Sequence, residues 1–386
     1  MKFTNNHRII LLYSTVFMLV SLNTVYLPIW LNETINLDVK QIGFLIAAAG
    51  LLKVFSNYFI NKNIRTFRDR KLIAIVITFF LLISFILISV LKSLDFILII
   101  ILSFLILIIF SPILPLVENI TTSLNKNFYK TYGKLRISGS IAFCLAVFIV
   151  GFILDQFGTN VLPLLYIIFA LFFLLSIYLV PSKEKRKKNI AKSNVSELLT
   201  DKIFILVLFS CSIILASHAM YYSFSAIYWR EYNINLFQVG FLWFWGVLAE
   251  IIFFIFIDKV KIKNIFFKAI ILVAFITSLR WVLTFLFTNF FILIAIQSLH
   301  AFTFGLTHYL VIYYIYKKIS YNNQLLALSL YHALSSGIIM TMLTILAGFS
   351  FNYHLNGLGF VVMAVFSFFS IILIYFRGYI LKNERS

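Results

Sequence analysis

An uncharged apolar run fills residues 9–31, and eleven similar runs follow it at 40–60, 71–91, 94–117, 136–156, 161–180, 203–229, 237–257, 266–287, 290–315, 324–349 and 356–380. Each approaches the roughly 20 residues that an α-helix needs to cross the hydrocarbon core of a bilayer. Polar residues gather in short clusters between the runs. The expected fold is an all-α membrane protein with twelve transmembrane helices. The longest polar stretch, "PSKEKRKKNIAKSNVSELLTDK" at 181–202, divides them six and six. Residues 1–180 are therefore expected to form an N-terminal six-helix bundle and 203–386 a C-terminal one, with 181–202 as a cytoplasmic linker.

Composition supports this pattern, because 62% of the 386 residues are hydrophobic and only 12% are charged. A water-soluble protein of this length has too little surface to hide so much apolar area. The formal charge of +19 raises the thought of a nucleic acid, but its placement points elsewhere. Of the 32 Lys and Arg, 27 fall in the clusters 62–71, 126–136, 181–202, 259–268 and 317–318 or at the termini. Those clusters follow every second run, whereas the alternate loops hold only Lys40, Lys92 and Arg230. This is the positive-inside bias, which predicts a multi-pass protein of the cell (inner, plasma) membrane with both termini cytoplasmic. Membrane topology accounts for the charge without a nucleic-acid partner.

Several function classes recede on motif grounds. The apolar run after Arg8 is too long for a cleaved leader and is read as an uncleaved first helix. Cys144 and Cys211 both lie within apolar runs, as packing residues do. No Walker motif and no H-E-x-x-H is present, and His300 and His308 are not spaced i,i+4. Neither a cofactor nor a metal is expected. A carrier is the leading class; a membrane enzyme and a receptor that kept a carrier fold are the rivals.

Ionisable side chains inside the runs are costly, about 2.5–3.5 kcal/mol each on insertion scales, so each is a functional candidate. Those away from the run ends or beside a motif are Lys53, Glu118 (one residue past the fourth run) and Arg136 in the first half, and His218, Glu250, Arg280, His300, His308 and His332 in the second. A snorkelling or helix-contact role is the plainer reading for Glu118, His218 and His332. Glu250 and Arg280 lie near the middle of successive runs and are expected to neutralise one another within a polar network.

Six plus six runs, both ends inside and a basic central loop resemble the plan of the major facilitator superfamily, whose substrates bind near the midplane between two rocking halves. "SLRWVLTF" with "IQSLHAFTFGLTHYLVIYYIYKK" resembles spans nine and ten of the lactose/proton symporter family. The resemblance sets Arg280, His300 and Glu250 on that family's proton-coupling residues, and Arg136 on its sugar-holding arginine. It also sets Thr122 on the sugar-binding Glu, Phe143 on the stacking Trp and Thr303 on the proton-carrying Glu, so the sugar acceptor is lost while the cation stays. "SPILPLVENI", "YGKLRISGSIAF", "SHAMYYSFSAIYWREY", "VGFLWFWGVLAEIIFF" and "LHAFTFGLTHY" extend over nearly the whole chain a similarity to the 3-phenylpropionate permease group. The superfamily's loop motif between spans two and three is degraded here to "SNYFINKNIR", with a faint echo at Asp258 and Lys259.

That resemblance implies import of a small aromatic carboxylate with protons. An apolar ring wants aromatic walls, and a carboxylate wants a guanidinium or ammonium in a low-dielectric cavity. The expected substrate-binding residues are Arg136, Lys53, Phe143, Tyr222 and Trp229, with Tyr221 and Phe224 as further rings. The expected proton-coupling residues are Glu250, Arg280, His300 and His308. His308 lies two turns beyond His300 and about 80° round the helix, able to share the cavity or to line a helix contact. The expected partners are a small organic acid, protons and the lipid bilayer, with the protein a monomer. Sugars, nucleosides, peptidoglycan fragments and metal chelates remain alternative cargoes, and export an alternative direction.

Overall fold

The structure is a computed structural model that describes residues 5–63, 66–90, 96–124, 128–181, 195–257, 262–351 and 357–376. Side chains are described at these positions except 5, 53–63, 96, 115, 119, 122–124, 128–136, 195 and 325. Every regular element among them is helical. In chain order these are α1 (Asn6–Glu33), α2 (Val39–Asn63), α3 (Phe67–Val90), α4 (Phe96–Phe110), α5 (Ile113–Leu124), α6 (Phe128–Phe157), α7 (Leu162–Leu179), α8 (Lys202–Glu231), α9 (Leu236–Phe256), α10 (Ile262–Leu286), α11 (Phe290–Lys318), α12 (Tyr321–Phe351) and α13 (Leu358–Tyr375), besides short turns and a helix at Val195–Thr200. Among the described residues ten helical stretches are long and apolar enough to cross a membrane. Two shorter apolar stretches, Val39–Leu52 and Ile97–Phe110, coincide with the remaining two apolar runs.

The outer surface is apolar. Phe79, Val90, Phe291 and Val365 are each more than half exposed. In water such a surface would be an aggregation hazard; in lipid it costs nothing. This is a multi-pass membrane protein.

One expected span is divided. The run 94–117 is not a single helix: α4 ends at Phe110 and α5 starts at Ile113. Pro112 has no N–H to donate, and its ring pushes Ser111 away from helical backbone angles. The Ser111 amide closes a tight turn on the Ile108 carbonyl at 3.2 Å instead. Three other helices carry π turns, at Leu22–Tyr26 in α1, Ala301–Leu306 in α11 and Ala333–Ile338 in α12.

The chain packs as two compact units. One comprises Met1–Lys188 and Trp229–Phe244, the other Asn189–Tyr228 and Trp245–Ser386. Within the first, α1 lies against α6 and α7, where Thr15 and Ser176 share a 2.9 Å hydrogen bond. Phe85 of α3 stacks on Tyr166 of α7 at 4.0 Å, and the Tyr26 hydroxyl donates to the Val147 carbonyl. Gly151 of α6 faces Gly240 of α9 so closely that a methyl group on Gly240 would come within 2.5 Å of the Val147 carbonyl oxygen. Within the second, α10 packs along α13, with Ser278 bonded to Ser367 at 2.9 Å and Ser370 to the Ser210 carbonyl at 3.1 Å. Small residues and hydroxyls at the contacts are how helices associate where lipid competes with every apolar face. Residues 182–194 of the expected linker lie outside the described residues.

Candidate functional site

A cluster of buried polar side chains in the second unit brings α8, α9, α10 and α11 together. Arg280 of α10 is completely buried at its centre. Its Nη1 donates to the Thr303 hydroxyl at 2.8 Å and to His300 Nδ1 at 3.1 Å, with His218 Nε2 at 3.4 Å. Its Nη2 donates to Gln297 Oε1 at 2.6 Å. The guanidinium carbon lies 4.6 Å from the Trp281 ring centre and 5.0 Å from that of Tyr221, so aromatic faces also stabilise the charge.

Local breaks in the helices aim these groups. Helix α8 is interrupted by a turn at Ser217 and His218, which leaves the Ile214 and Leu215 carbonyls for His218 Nδ1 at 3.2 and 3.1 Å. Ser217 accepts from Trp281 Nε1 at 3.0 Å and so ties the turn to α10. On α11 the π turn begins directly after His300; such insertions re-aim side chains and recur at functional positions. Gln297, His300, Thr303 and Thr307 then form one polar face at helical spacing. Gly305 admits Glu250 of α9, since a methyl there would lie 3.3 Å from the Glu250 Cγ.

The protonation pattern follows from donor arithmetic. A guanidinium only donates, so the ring nitrogens facing Arg280 must carry lone pairs. His300 therefore accepts at Nδ1 and carries its proton on Nε2, which points at Glu250 Oε2 3.9 Å away. That gap is beyond a hydrogen bond, and a closure of somewhat less than an ångström would make one. His218 likewise accepts at Nε2, from the Thr303 hydroxyl at 3.2 Å, and carries its proton on Nδ1. Both imidazoles are neutral in this arrangement. Glu250 and Arg280 do not touch directly; His300 stands between them.

The expected residues separate into groups. Arg280, His300 and Glu250 meet as one unit. Tyr222 borders it, its ring centre 5.6 Å from that of His218. His308 is one ring further along: Phe304 stacks on His300 at 5.3 Å and on His308 at 6.2 Å, and His308 faces Tyr331 and His332. Phe143 and Trp229 are buried in the first unit, Phe143 at 6.2 Å from Trp243. The side chains of Lys53, Thr122 and Arg136 lie outside the described residues, on α2, α5 and α6, as do Asp258 and Lys259 altogether. The structure adds His218, Gln297 and Thr303 to the unit. His218 was already an ionisable candidate, read as a helix contact; the signal for Gln297 and Thr303 was the polar face at 297, 300, 303 and 307, which ionisable residues alone do not reveal.

Polar groups buried among several membrane spans mark a functional site, and similarity to known proteins supplies its class. The chain belongs to the MFS_1 like family, which it matches over residues 7–372. It is a transporter of the major facilitator type that moves a small molecule. It is 29% identical over 261 residues to the probable 3-phenylpropionic acid transporter of Escherichia coli (strain K12), covering 66% of this chain and 68% of the relative. It is 26% identical over 286 residues to the uncharacterized transporter YwbF of Bacillus subtilis (strain 168), covering 72% and 69%. The fold is similar to the crystal structure of the nucleoside transporter NupG, with a TM-score of 0.71 at 16% identity over 97% of this chain and 98% of that one.

Proposed function

We propose that this transporter imports a small aromatic carboxylate, 3-phenylpropionate or a close analogue, together with protons. The observation that carries the reading is the buried unit Glu250–His300–Arg280, in a chain similar to a probable 3-phenylpropionic acid transporter. Import runs by alternating access through twelve spans arranged six and six, in a monomer of the cell (inner) membrane with both termini cytoplasmic. Arg136 clamps the carboxylate, Lys53 supplies a second cation, and Phe143, Tyr222 and Trp229 form walls for the ring. No nucleic acid takes part.

Glu250 is the proton carrier. A proton arriving at His300 would have to occupy Nδ1, replacing its hydrogen bond from Arg280 with a like-charge contact. Glu250 takes a proton without that conflict. Ionised, it balances Arg280 across the neutral imidazole; protonated, it leaves the arginine's charge to be met by the anionic cargo. Loading thus couples proton and anion by charge balance in a low-dielectric interior. His308, beyond Phe304, relays the proton to one side. One proton with one monovalent anion moves no net charge, so the pH gradient alone drives uptake. A second proton would add about 2.3 kcal/mol per 100 mV of membrane potential.

Purified protein in proteoliposomes should accumulate labelled 3-phenylpropionate when the outside is acidified. Unlabelled sugars or nucleosides should not compete. Arg136→Lys keeps a charge but loses the fork and should weaken binding more than about tenfold; Arg136→Gln should nearly abolish it. Competition by a nucleoside with none by 3-phenylpropionate would reassign the cargo, and unchanged affinity in both arginine variants would remove Arg136 from the site.

A further inference from the structure

The nitrogens of Arg280 are not equally satisfied. Nη1 and Nη2 both donate to side chains of α11, whereas the Nε–H finds no acceptor among the described residues. The Gln297 amide shows the same imbalance: its oxygen takes Nη2 at 2.6 Å, and its Nε2 finds no acceptor. Both residues are fully buried. Tyr221 hydrogen-bonds the guanidinium as well as facing it, and Trp281 lies against it, yet Nε itself finds no acceptor among the described residues. Two orphaned donors therefore sit on two side chains that touch each other.

The charge is unbalanced in the same place. No carboxylate among the described residues is in ion-pair contact with Arg280. The titratable groups facing it are His218, Tyr221 and Tyr222 of α8 and His300 of α11, with Glu250 of α9 behind His300. From α13, packed along α10, come the hydroxyl of Ser367 and the ring of Phe360, which stacks on Trp281. None of these brings a negative charge to the Nε edge.

We infer that the Nε edge of Arg280 and the amide nitrogen of Gln297 form a receiving site for a carboxylate in the second unit. Two orphaned donors require an acceptor, and once Glu250, the carboxylate behind His300, is protonated, the buried guanidinium requires another anion. A carboxylate supplies both, lying side-on to the Nε–Nη2 fork while its second oxygen takes the Gln297 amide. A single guanidinium beside aromatic walls suits a monovalent carboxylate with an apolar body better than a phosphate. The site is a second station for the cargo anion besides Arg136, and the inference rests on reading this unit as part of the transport machinery.

The test follows thermal unfolding of the purified full chain by tryptophan fluorescence, titrated with sodium formate and separately with 3-phenylpropionate at constant ionic strength. Formate reads the carboxylate site whatever the cargo is. Both anions should stabilise the wild-type protein. Gln297→Leu should raise the half-saturating concentration of each about tenfold, the effect of one lost charge-assisted hydrogen bond. Gln297→Glu should unfold at a higher temperature than wild type, because its own carboxylate takes the Nε edge. That gain distinguishes a filled site from a misfolded variant. Any response left to either anion should be that of Arg136 alone, lost in the Gln297→Glu/Arg136→Gln double variant. Formate binding that depends on Gln297, without binding of 3-phenylpropionate, would remove the proposed cargo and keep the site. Binding of 3-phenylpropionate that is the same in wild type and both variants would overturn the site and keep the cargo. A wild-type protein that no carboxylate stabilises also overturns it.

Discussion

Thr303 shows how much one hydroxyl does in this site. It accepts from Arg280 at 2.8 Å and lies 3.2 Å from His218 Nε2, so it links the two. Thr303→Val keeps the shape and strands both partners, which should destabilise the protein by about 1–3 kcal/mol. Thr303→Ser should restore most of that loss, since it keeps the hydroxyl. Thermal unfolding of the three proteins decides; equal midpoints for Val and wild type would mean that the link has no weight. At this scale the sequence was partly legible. Glu250, Arg280 and His300 announce themselves because charge within an apolar run is expensive. Gln297 and Thr303 do not, because uncharged polar residues are ordinary in membrane helices. Only the folded α11 shows that they point at Arg280.

Among the elements, the helices follow the apolar runs closely and their irregularities do not. The π turn after His300 and the turn at Ser217–His218 build the site, yet nothing in the hydrophobic period marks them. Pro112 is the exception, a visible breaker inside a run that was otherwise continuous. Gly305 belongs to the same scale. A methyl there would approach Phe253 to 3.4 Å and Glu250 to 3.3 Å, so a branched side chain must push α9 from α11. Gly305→Val is predicted to fold with a loss of about 1–3 kcal/mol and to lose accumulation, because Glu250 and His300 move apart. Gly240→Val should be worse, since carbonyl backbone blocks it and cannot swing aside. A Gly305→Val protein that accumulates cargo at the wild-type rate would contradict the role given to the Glu250–His300 contact.

For the whole molecule, topology rests on the basic clusters, several of which lie outside the described residues. Cysteine labels at Lys187 and Lys261 are predicted to react from the cytoplasmic side, and one at Asn36 from outside. Labelling of Lys187 on intact cells would overturn the six-plus-six arrangement. The central claim is that Glu250 carries the proton, and transport in proteoliposomes by Glu250→Gln tests it most directly. The variant should still exchange labelled 3-phenylpropionate in counterflow, which needs only binding and alternating access. It should fail to concentrate the ligand when the outside is acidified. Full proton-driven accumulation by Glu250→Gln would contradict the account, and with His300→Gln inactive it would move the proton to the histidine.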